Sequence, residues 1–264
     1  IDPLVLAALD LCGIEKIYKI GGAQAIAALT WGTESVENVD IIIGPGNKWV
    51  AEAKKQALSN INIDMLAGPS EILILADENN RADWVAADLL SQAEHDISAQ
   101  AILVTDSENL LENVNKELVS QTKELKRKDI VKKSIAENGY GILVSNINDA
   151  IEIINNIAPE HLSILCKENS QIENKITNAG VIFSDEWTPE SMGDYIIGPS
   201  HILPTNGMAK RQSGLSVYNF LRRQSTISSS KKTITTLGPS AMLLADCEGL
   251  DAHANSIKIR IKDS

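Results

Sequence analysis

Four histidines are the only imidazole side chains in the 264-residue chain, and each occurs in a segment that also carries a carboxylate or an amide. The pairs are Gln92 with His95, Glu160 with His161, Asp194 with His201, and Glu248 with His253. Imidazole and carboxylate groups bind divalent transition metals, and they also transfer protons near neutral pH. These residue types therefore indicate a metal site, an acid–base site, or both.

Gln92 and His95 lie three residues apart at the end of the helix-like stretch Ala82–Glu94. Residues at positions i and i+3 share one face of a helix, so the two side chains could hold a metal ion together. The alternative is a helix end whose polar side chains face solvent, and this pair alone leaves both interpretations open.

Glu160 and His161 belong to the string Ala158-Pro159-Glu160-His161-Leu162 at the start of a predicted strand. Proline ends the preceding helix and favours an extended backbone at Ala158. Adjacent side chains on a strand point to opposite faces, so both residues can serve one site only if the pair lies in the turn before the strand. The pair is then a plausible acid–base unit. A histidine at a strand end beside an exposed glutamate is the alternative.

Two further pairs lie in the C-terminal part of the chain. Asp194 and His201 belong to a loop rich in Gly, Pro and Ser, where a carboxylate and an imidazole are candidates for metal or substrate contact. Glu248 and His253 are five residues apart, which places them ~140° from each other on a straight helix. Either the helix ends near Gly249, or the two residues contact different parts of a site.

Short apolar runs alternate with amphipathic stretches from residue 17 to residue 184. The runs predicted as strands are Ile17–Ile20, Val39–Ile43, Glu71–Ala76, Ala101–Thr105, Gly141–Ser145, His161–Cys166 and Gly180–Ser184. This alternation predicts an α/β fold in which helices cover both faces of parallel sheet. The rhythm stops near Asp185, and a helical tail is predicted to contain Leu215–Arg223 and Pro239–Leu250.

Two glycine-containing turns each lie between a predicted strand and a helix. They are Gly21-Gly22-Ala23-Gln24 and Gly44-Pro45-Gly46-Asn47. Such turns lie at the carboxyl ends of strands and expose backbone N–H groups to ligands. Neither is GxGxxG, so for each one alone a tight turn is the favoured interpretation. Two in succession make a nucleotide site as good an interpretation as a structural one.

The composition excludes several classes of protein. A net charge of −11 argues against a nucleic-acid surface, which needs clustered Lys and Arg. The three cysteines form no CxxC motif and are interpreted as reduced thiols of a cytoplasmic protein. No apolar run reaches the ~18 residues that would indicate a membrane span, and no signal peptide is recognised.

The chain resembles histidinol dehydrogenase from Pro3 to about Arg260. Seven strings carry the resemblance in order: GGAQAIAAL, GPGN, DMLAGPSE, DLLSQAEH, APEHL, GDY followed by GPSHILPT, and EGLDAH. Each string is moderately specific, and the ordered set is highly specific. The resemblance implies a Zn²⁺ enzyme that oxidises L-histidinol through an enzyme-held L-histidinal to L-histidine and reduces two NAD in succession.

The resemblance also implies roles for individual residues. Its zinc ligands correspond to Gln92, His95, Asp194 and His253, and its acid–base pair to Glu160 and His161. Its substrate contacts correspond to Ser70, Gln92, His95, His161, Asp194, His201, Glu248 and His253, and its cofactor contacts to Gln24 and Asn47. His161 is expected to take the hydroxyl proton, and Glu160 to activate the water that attacks the aldehyde.

The architecture expected from the resemblance has three parts. Residues 1–70 form a Rossmann-like cofactor-side domain, 71–210 form a second Rossmann-like domain with the zinc and substrate site, and 211–264 form a helical dimerisation segment. Both sheet domains are incomplete, because the family has an additional N-terminal part with a cofactor-contacting tyrosine. The family is a homodimer whose C-terminal segment enters the partner's site. We expect exposed apolar surface, and we expect the 264-residue chain alone to bind zinc poorly or to be inactive.

Three other functions remain open at this stage. A zinc hydrolase could use Glu160 or His161 on a metal-bound water. A related dehydrogenase could act on another amino alcohol or a sulfonated substrate. A truncated relative could serve only as a dimerisation or binding module.

Overall fold

The computed structural model describes residues 1–66, 68–167 and 169–262. Its internal contacts divide the chain into two compact units, Ile1–Phe220 and Leu221–Ser264. The three-part division with boundaries at residues 70 and 210 stays a prediction, and Ala67, in the turn at the first boundary, lies outside the described residues. Over the described ranges, no helix combines the length and apolar character that a bilayer span requires.

The N-terminal part of the first unit contains a two-stranded parallel sheet. Its strands and helices are α1 (Pro3–Leu11), α2 (Gly22–Trp31), β1 (Ile41–Ile42), α3 (Lys48–Ala57) and β2 (Asn62–Ile63). The core of this part is formed by Ile26, Ile42, Ala57 and Ile61. Helix α1 has no buried residue, which agrees with the apolar exposure expected from the sequence.

The predicted strand Ile17–Ile20 is wrong, because these residues are exposed and have no strand assignment. A strand needs a neighbour that pairs with its backbone N–H and C=O groups, and apolar side chains alone do not supply one. The run Val39–Ile43 is a strand only at Ile41–Ile42.

The remainder of the first unit is built on a five-stranded parallel sheet. Its strands are β3 (Glu71–Ala76), β4 (Gln100–Thr105), β5 (Gly139–Leu143), β6 (His161–Ile164) and β7 (Val181–Ser184), in the order β5-β4-β3-β6-β7. Its helices are α4 (Ala82–Ala93), α5 (Glu108–Thr122), α6 (Lys128–Asn138), α7 (Ala150–Ile157), α8 (Asn169–Glu173) and α9 (Glu190–Tyr195). All six residues of β3 are buried, as expected of a central strand covered on both faces. The parallel sheets confirm the predicted α/β class.

The strand order places β3 between β4 and β6, so β6 pairs with β3, which comes first in the chain among the strands of this sheet. In the register, Ile72 lies opposite His161. The first residues of β3 and β6 are therefore neighbours at the amino-terminal edge of the sheet.

The second unit contains the helices α10 (Lys231–Cys247) and α11 (Asp251–Lys262). A helix was predicted at Pro239–Leu250. The observed helix α10 begins earlier, at Lys231, and also ends earlier, at Cys247, with Glu248 as its C-terminal cap. This confirms the alternative in which the helix ends near Gly249, and it places His253 in the following helix. The predicted helix Leu215–Arg223 is wrong, because this region has only a short 3-10 turn at Val217–Phe220.

Candidate active site

His161 lies at the amino-terminal edge of the five-stranded sheet and is 3% exposed. Its Nδ1 is 2.7 Å from the backbone carbonyl oxygen of Glu71, the first residue of the neighbouring strand β3. A carbonyl oxygen can only accept, so Nδ1 carries the proton and donates it. In the neutral ring, Nε2 is then the nitrogen with a free lone pair.

Glu160 is buried in the turn that precedes β6, whereas His161 is the first residue of the strand, so only one member of the pair lies in the turn. Its Oε2 accepts the Glu71 N–H at 2.9 Å and lies 3.7 Å from His161 Nδ1. Both members of the predicted pair are thus held by the backbone of one residue, Glu71.

The backbone before this pair differs from the prediction. Ala158 is not extended but left-handed, with φ 54 and ψ 61, and its N–H donates to Ile154 O as the cap of α7. Helix capping therefore outweighs the effect of the following proline on Ala158. On the other side, Gly180 packs so closely that a Cβ there would lie 2.5 Å from the Glu160 carbonyl oxygen.

Burial shifts the pKa values of the pair in opposite directions. It raises the pKa of Glu160 to about 8, with a further increase from the charges of Glu71, Glu190 and Asp194. It lowers the pKa of His161 to about 4, although the charge of Glu190 opposes this shift. At neutral pH the imidazole is uncharged, and Glu160 lies close to its own titration range.

His201 lies against His161 with its ring nearly parallel. The ring centroids are 4.8 Å apart with an interplanar angle of 15°, and the two Nε2 atoms are 2.8 Å apart. Since Nε2 of His161 carries no proton, His201 donates its Nε2–H. The same nitrogen of His201 is 3.2 Å from Asp194 Oδ1, so the imidazole connects the acid–base pair to a carboxylate.

Asp194 lies on α9, and its predicted placement in an irregular loop is therefore wrong. Pro189 is the N-cap of α9, and Glu190 and Asp194 are four residues apart, so they share one face of the helix. The prediction that His201 lies on a loop is correct.

Glu190 is a site residue that the sequence analysis missed. It is 1% exposed, and its Oε1 lies 3.8 Å from Nε2 of both His161 and His201. Burial alone would raise the pKa of Glu190, but the adjacent imidazoles outweigh burial and lower it. Its ionised form can stabilise a protonated His161. In the sequence, the one sign that Glu190 belongs to the site is its position four residues before Asp194, which places the two on one face if the segment is helical.

His161, Glu190 and His201 together form a group that could hold a metal ion, with ligand atoms within 4.8 Å of one another. This group shares no member with the predicted zinc ligands.

Two predicted ligands, His95 and Asp194, approach each other in the first unit, and Gln92 is joined to His95 through the backbone. Gln92 lies in the last turn of α4, whereas His95 lies just beyond the helix, which ends at Ala93. The His95 N–H donates to Gln92 O at 3.1 Å, which keeps the two residues together. His95 Nε2 lies 3.7 Å from Asp194 Oδ2.

Gln92 has an unusual environment for an amide. It is 0% exposed, and neither Oε1 nor Nε2 has a hydrogen-bond partner within the described part of the chain. A buried polar group without a partner is costly, and such groups are rare unless they serve a ligand. The nitrogen and oxygen donors of Gln92, His95 and Asp194 therefore fit a Zn²⁺ site.

A cleft of about 1000 Å³ lies beside this centre in the first unit. Its lining includes Asn47, Ser70 and His95, together with Pro45 and Gly46 of the second glycine turn. Gln24 is exposed near the start of α2 and does not line this cleft. Glu248 and His253 belong to the second unit, so their contribution to the site stays a prediction.

The family model for histidinol dehydrogenase matches residues 1–261 of the chain. The chain belongs to the histidinol dehydrogenase family. A histidinol dehydrogenase from Lactococcus lactis is 48% identical over 263 residues, which cover 100% of this chain and 61% of the relative. One from Wolinella succinogenes is 50% identical over 260 residues, covering 98% of this chain and 60% of the relative.

A solved structure shows the same fold. The crystal structure of histidinol dehydrogenase from Elizabethkingia anophelis superimposes with a TM-score of 0.94 at 41% identity, covering 100% of this chain and 61% of that one. The 264 residues therefore span about three fifths of the length of these histidinol dehydrogenases.

Proposed function

We propose that the full-length protein carrying this chain oxidises L-histidinol through L-histidinal to L-histidine, the last two steps of histidine biosynthesis. The observation that carries the proposal is the hydrogen bond from His161 Nδ1 to Glu71 O at 2.7 Å. It leaves Nε2 as the basic nitrogen of a buried, neutral imidazole, which is the form that removes a hydroxyl proton.

The first oxidation requires loss of the hydroxyl proton together with a hydride. The substrate hydroxyl would replace the His201 N–H at His161 Nε2 and donate its proton there. Protonation leaves a positive charge on His161, and the Glu190 carboxylate at 3.8 Å stabilises it. The charge of Glu190 thereby offsets part of the desolvation cost of a buried imidazolium, the cost that keeps His161 neutral before the proton is transferred.

The second oxidation requires a water molecule to attack the aldehyde. Glu160 can take a proton from that water when it is ionised, and its pKa of about 8 places this change near the working pH. The Glu71 N–H holds Oε2, so Oε1 is the oxygen available to the water.

Zinc would be held by Gln92, His95 and Asp194 of one chain and His253 of a second copy. When bound, it would bind the imidazole and amine of histidinol and so position the reacting carbon. The buried amide of Gln92, which has no partner in the described part of the chain, and the approach of His95 to Asp194 support this ligand set. Ser70, His201 and Glu248 are the further proposed substrate contacts.

NAD, the hydride acceptor in both steps, would contact Gln24 and Asn47. The two-stranded sheet and the turns around it would belong to a Rossmann-like cofactor-side domain, and the five-stranded sheet to a second such domain. The helices α10 and α11 would form the dimerisation segment and enter the partner's site. We further propose that the protein is cytoplasmic, and that residues 1–264 alone are inactive or bind zinc poorly.

The experiment follows NADH absorbance at neutral to alkaline pH with the full-length, zinc-loaded protein. We expect two NADH per L-histidinol, and slower reduction with other amino alcohols or sulfonated alcohols. Hydrolysis of simple esters or amides without NADH formation would favour a zinc hydrolase and contradict the proposal. Robust turnover by residues 1–264 alone would contradict the inactive-fragment proposal only.

A further inference from the structure

A buried ion pair joins α3 to the segment that follows β2. Lys54 Nζ lies 2.6 Å from Asp64 Oδ1, and the two side chains are only 4% and 1% exposed. Burying opposite charges costs much of their hydration free energy, and an apolar pair of similar volume is often equally stable or more stable. Stability alone therefore does not explain why charged residues occupy these positions.

Both members of the pair bind the backbone of Gly44. Lys54 Nζ donates to Gly44 O at 2.6 Å, and the Gly44 N–H donates to Asp64 Oδ2 at 2.7 Å. Gly44 has φ +119, a conformation that other residues rarely adopt. Because both polar groups of Gly44 are engaged, the ion pair fixes the first residue of the Gly44–Asn47 turn.

The other end of this turn is fixed by its own side chain. Asn47 Oδ1 accepts the N–H groups of Trp49 at 3.0 Å and Val50 at 3.2 Å, and so caps α3. Between these anchors, Pro45 and Gly46 are exposed and line the cleft.

Asp64 also connects the turn to a second segment that lines the cleft. Its Oδ1 accepts the Met65 N–H at 2.7 Å, and the next residue, Leu66, lines the cleft together with Ser70. One ion pair thus fixes the starts of two segments that line the same cleft.

We propose that Lys54 and Asp64 are positioning residues that hold the Gly44–Asn47 turn in the shape that binds the dinucleotide. The inference rests on the proposed function, in which Asn47 contacts NAD. A misplacement of about 1 Å caused by a distant substitution can cost on the order of 100-fold in rate where groups must be positioned for reaction, and we take this as the upper bound for the effect on NAD binding. The pair is not itself in contact with substrate, and its effect should appear in NAD binding.

The test measures the Kd for NAD by calorimetric titration of the full-length, zinc-loaded protein, with melting temperature and zinc content recorded for each variant. In the double variant Lys54→Met/Asp64→Leu, an apolar pair replaces the charges, which should preserve folding. We expect its Kd for NAD to rise about 10- to 100-fold, while zinc content and histidinol binding stay unchanged. Asp64→Asn, which keeps the side-chain shape, is the second variant and should weaken NAD binding in the same direction.

The matched control is Lys16→Met, which removes the exposed ion pair with Glu37 in the same unit. We expect it to leave the Kd for NAD unchanged. A folded double variant or a folded Asp64→Asn protein with the parental Kd would overturn the positioning role. A parent protein that binds NAD without oxidising histidinol would contradict the proposed function but leave the comparison of Kd values valid. A parent that binds no NAD would contradict both.

Discussion

The buried carboxyl of Glu160 should make the stability of the first unit depend on pH. Its pKa in the folded protein is raised from 4.5 to about 8, mainly by burial. A raised pKa means that the folded state favours the protonated acid. The stability that results is fully present below the unfolded pKa of 4.5, and it is lost as pH rises to the folded pKa of about 8.

The magnitude follows from the difference between the two pKa values. At about 1.4 kcal/mol per pKa unit, the complete loss is on the order of 5 kcal/mol. Glu160 makes the largest contribution between pH 6.5 and pH 8. Unfolded His161, with a pKa of 6.5, is half protonated at pH 6.5 and neutral by pH 8, which opposes the loss by about 0.4 kcal/mol, whereas Asp88, whose folded pKa is raised to about 6, is already mostly ionised. We expect a net loss of about 1–1.5 kcal/mol over this interval.

The assay is urea unfolding of the metal-free protein at several pH values between 6.5 and 8. Trp84 and Trp187 form an edge-to-face pair with centroids 5.1 Å apart, so near-ultraviolet circular dichroism reports on the first unit. Glu160→Gln keeps the acceptor for the Glu71 N–H but cannot ionise, so its stability should not fall over this interval. Glu112→Gln, at an exposed position of α5, is the control and should follow the parent. Parallel curves for the parent and Glu160→Gln would refute the reasoning.

Two further substitutions test the structure around the site. Gln92→Leu removes two buried polar atoms that have no hydrogen-bond partner among the residues the structure describes, so the metal-free protein should gain about 1–3 kcal/mol in unfolding free energy while zinc content falls. Denaturant unfolding and metal analysis measure the two effects, and destabilisation with full zinc content would contradict both. Gly180→Ala places a Cβ 2.5 Å from the Glu160 carbonyl oxygen and should cost about 1–3 kcal/mol together with most of the turnover. In Gly21→Ala the new Cβ meets no atom of residues 1–66, 68–167 and 169–262 within 4 Å, and an equal loss of stability in this control would rule out the steric explanation.

The sequence predicted strands correctly where an apolar run reflects burial of a strand on both faces of the sheet. The runs Glu71–Ala76 and Ala101–Thr105 are apolar at every position except Glu71 and Thr105, as expected of a strand buried on both faces, and both became strands. Ile17–Ile20 has a similar composition but no pairing partner in the structure, and sequence composition contains no information about a missing neighbour.

The site was predictable where neighbouring residues act together and hidden where the fold brings them together. The proline and the predicted strand after it indicated correctly that Glu160 lies in the turn and His161 at the start of the strand. Helix α9 was missed because its six residues include Gly193 and are too few to form a stable helix alone. Glu190 has no histidine beside it in the sequence, and it meets His161 only because α9 packs near the amino-terminal edge of the sheet.

The central claim is that His161 Nε2 acts as the base while other residues bind zinc. It is tested most directly by histidinol-dependent NADH formation and zinc content in the full-length His161→Asn protein. The account predicts that turnover falls on the order of 10²- to 10⁴-fold while the zinc content stays that of the parent. Unchanged turnover would contradict the role of base. Loss of zinc along with turnover would also contradict it, because it would make His161 a metal ligand with Glu190 and His201.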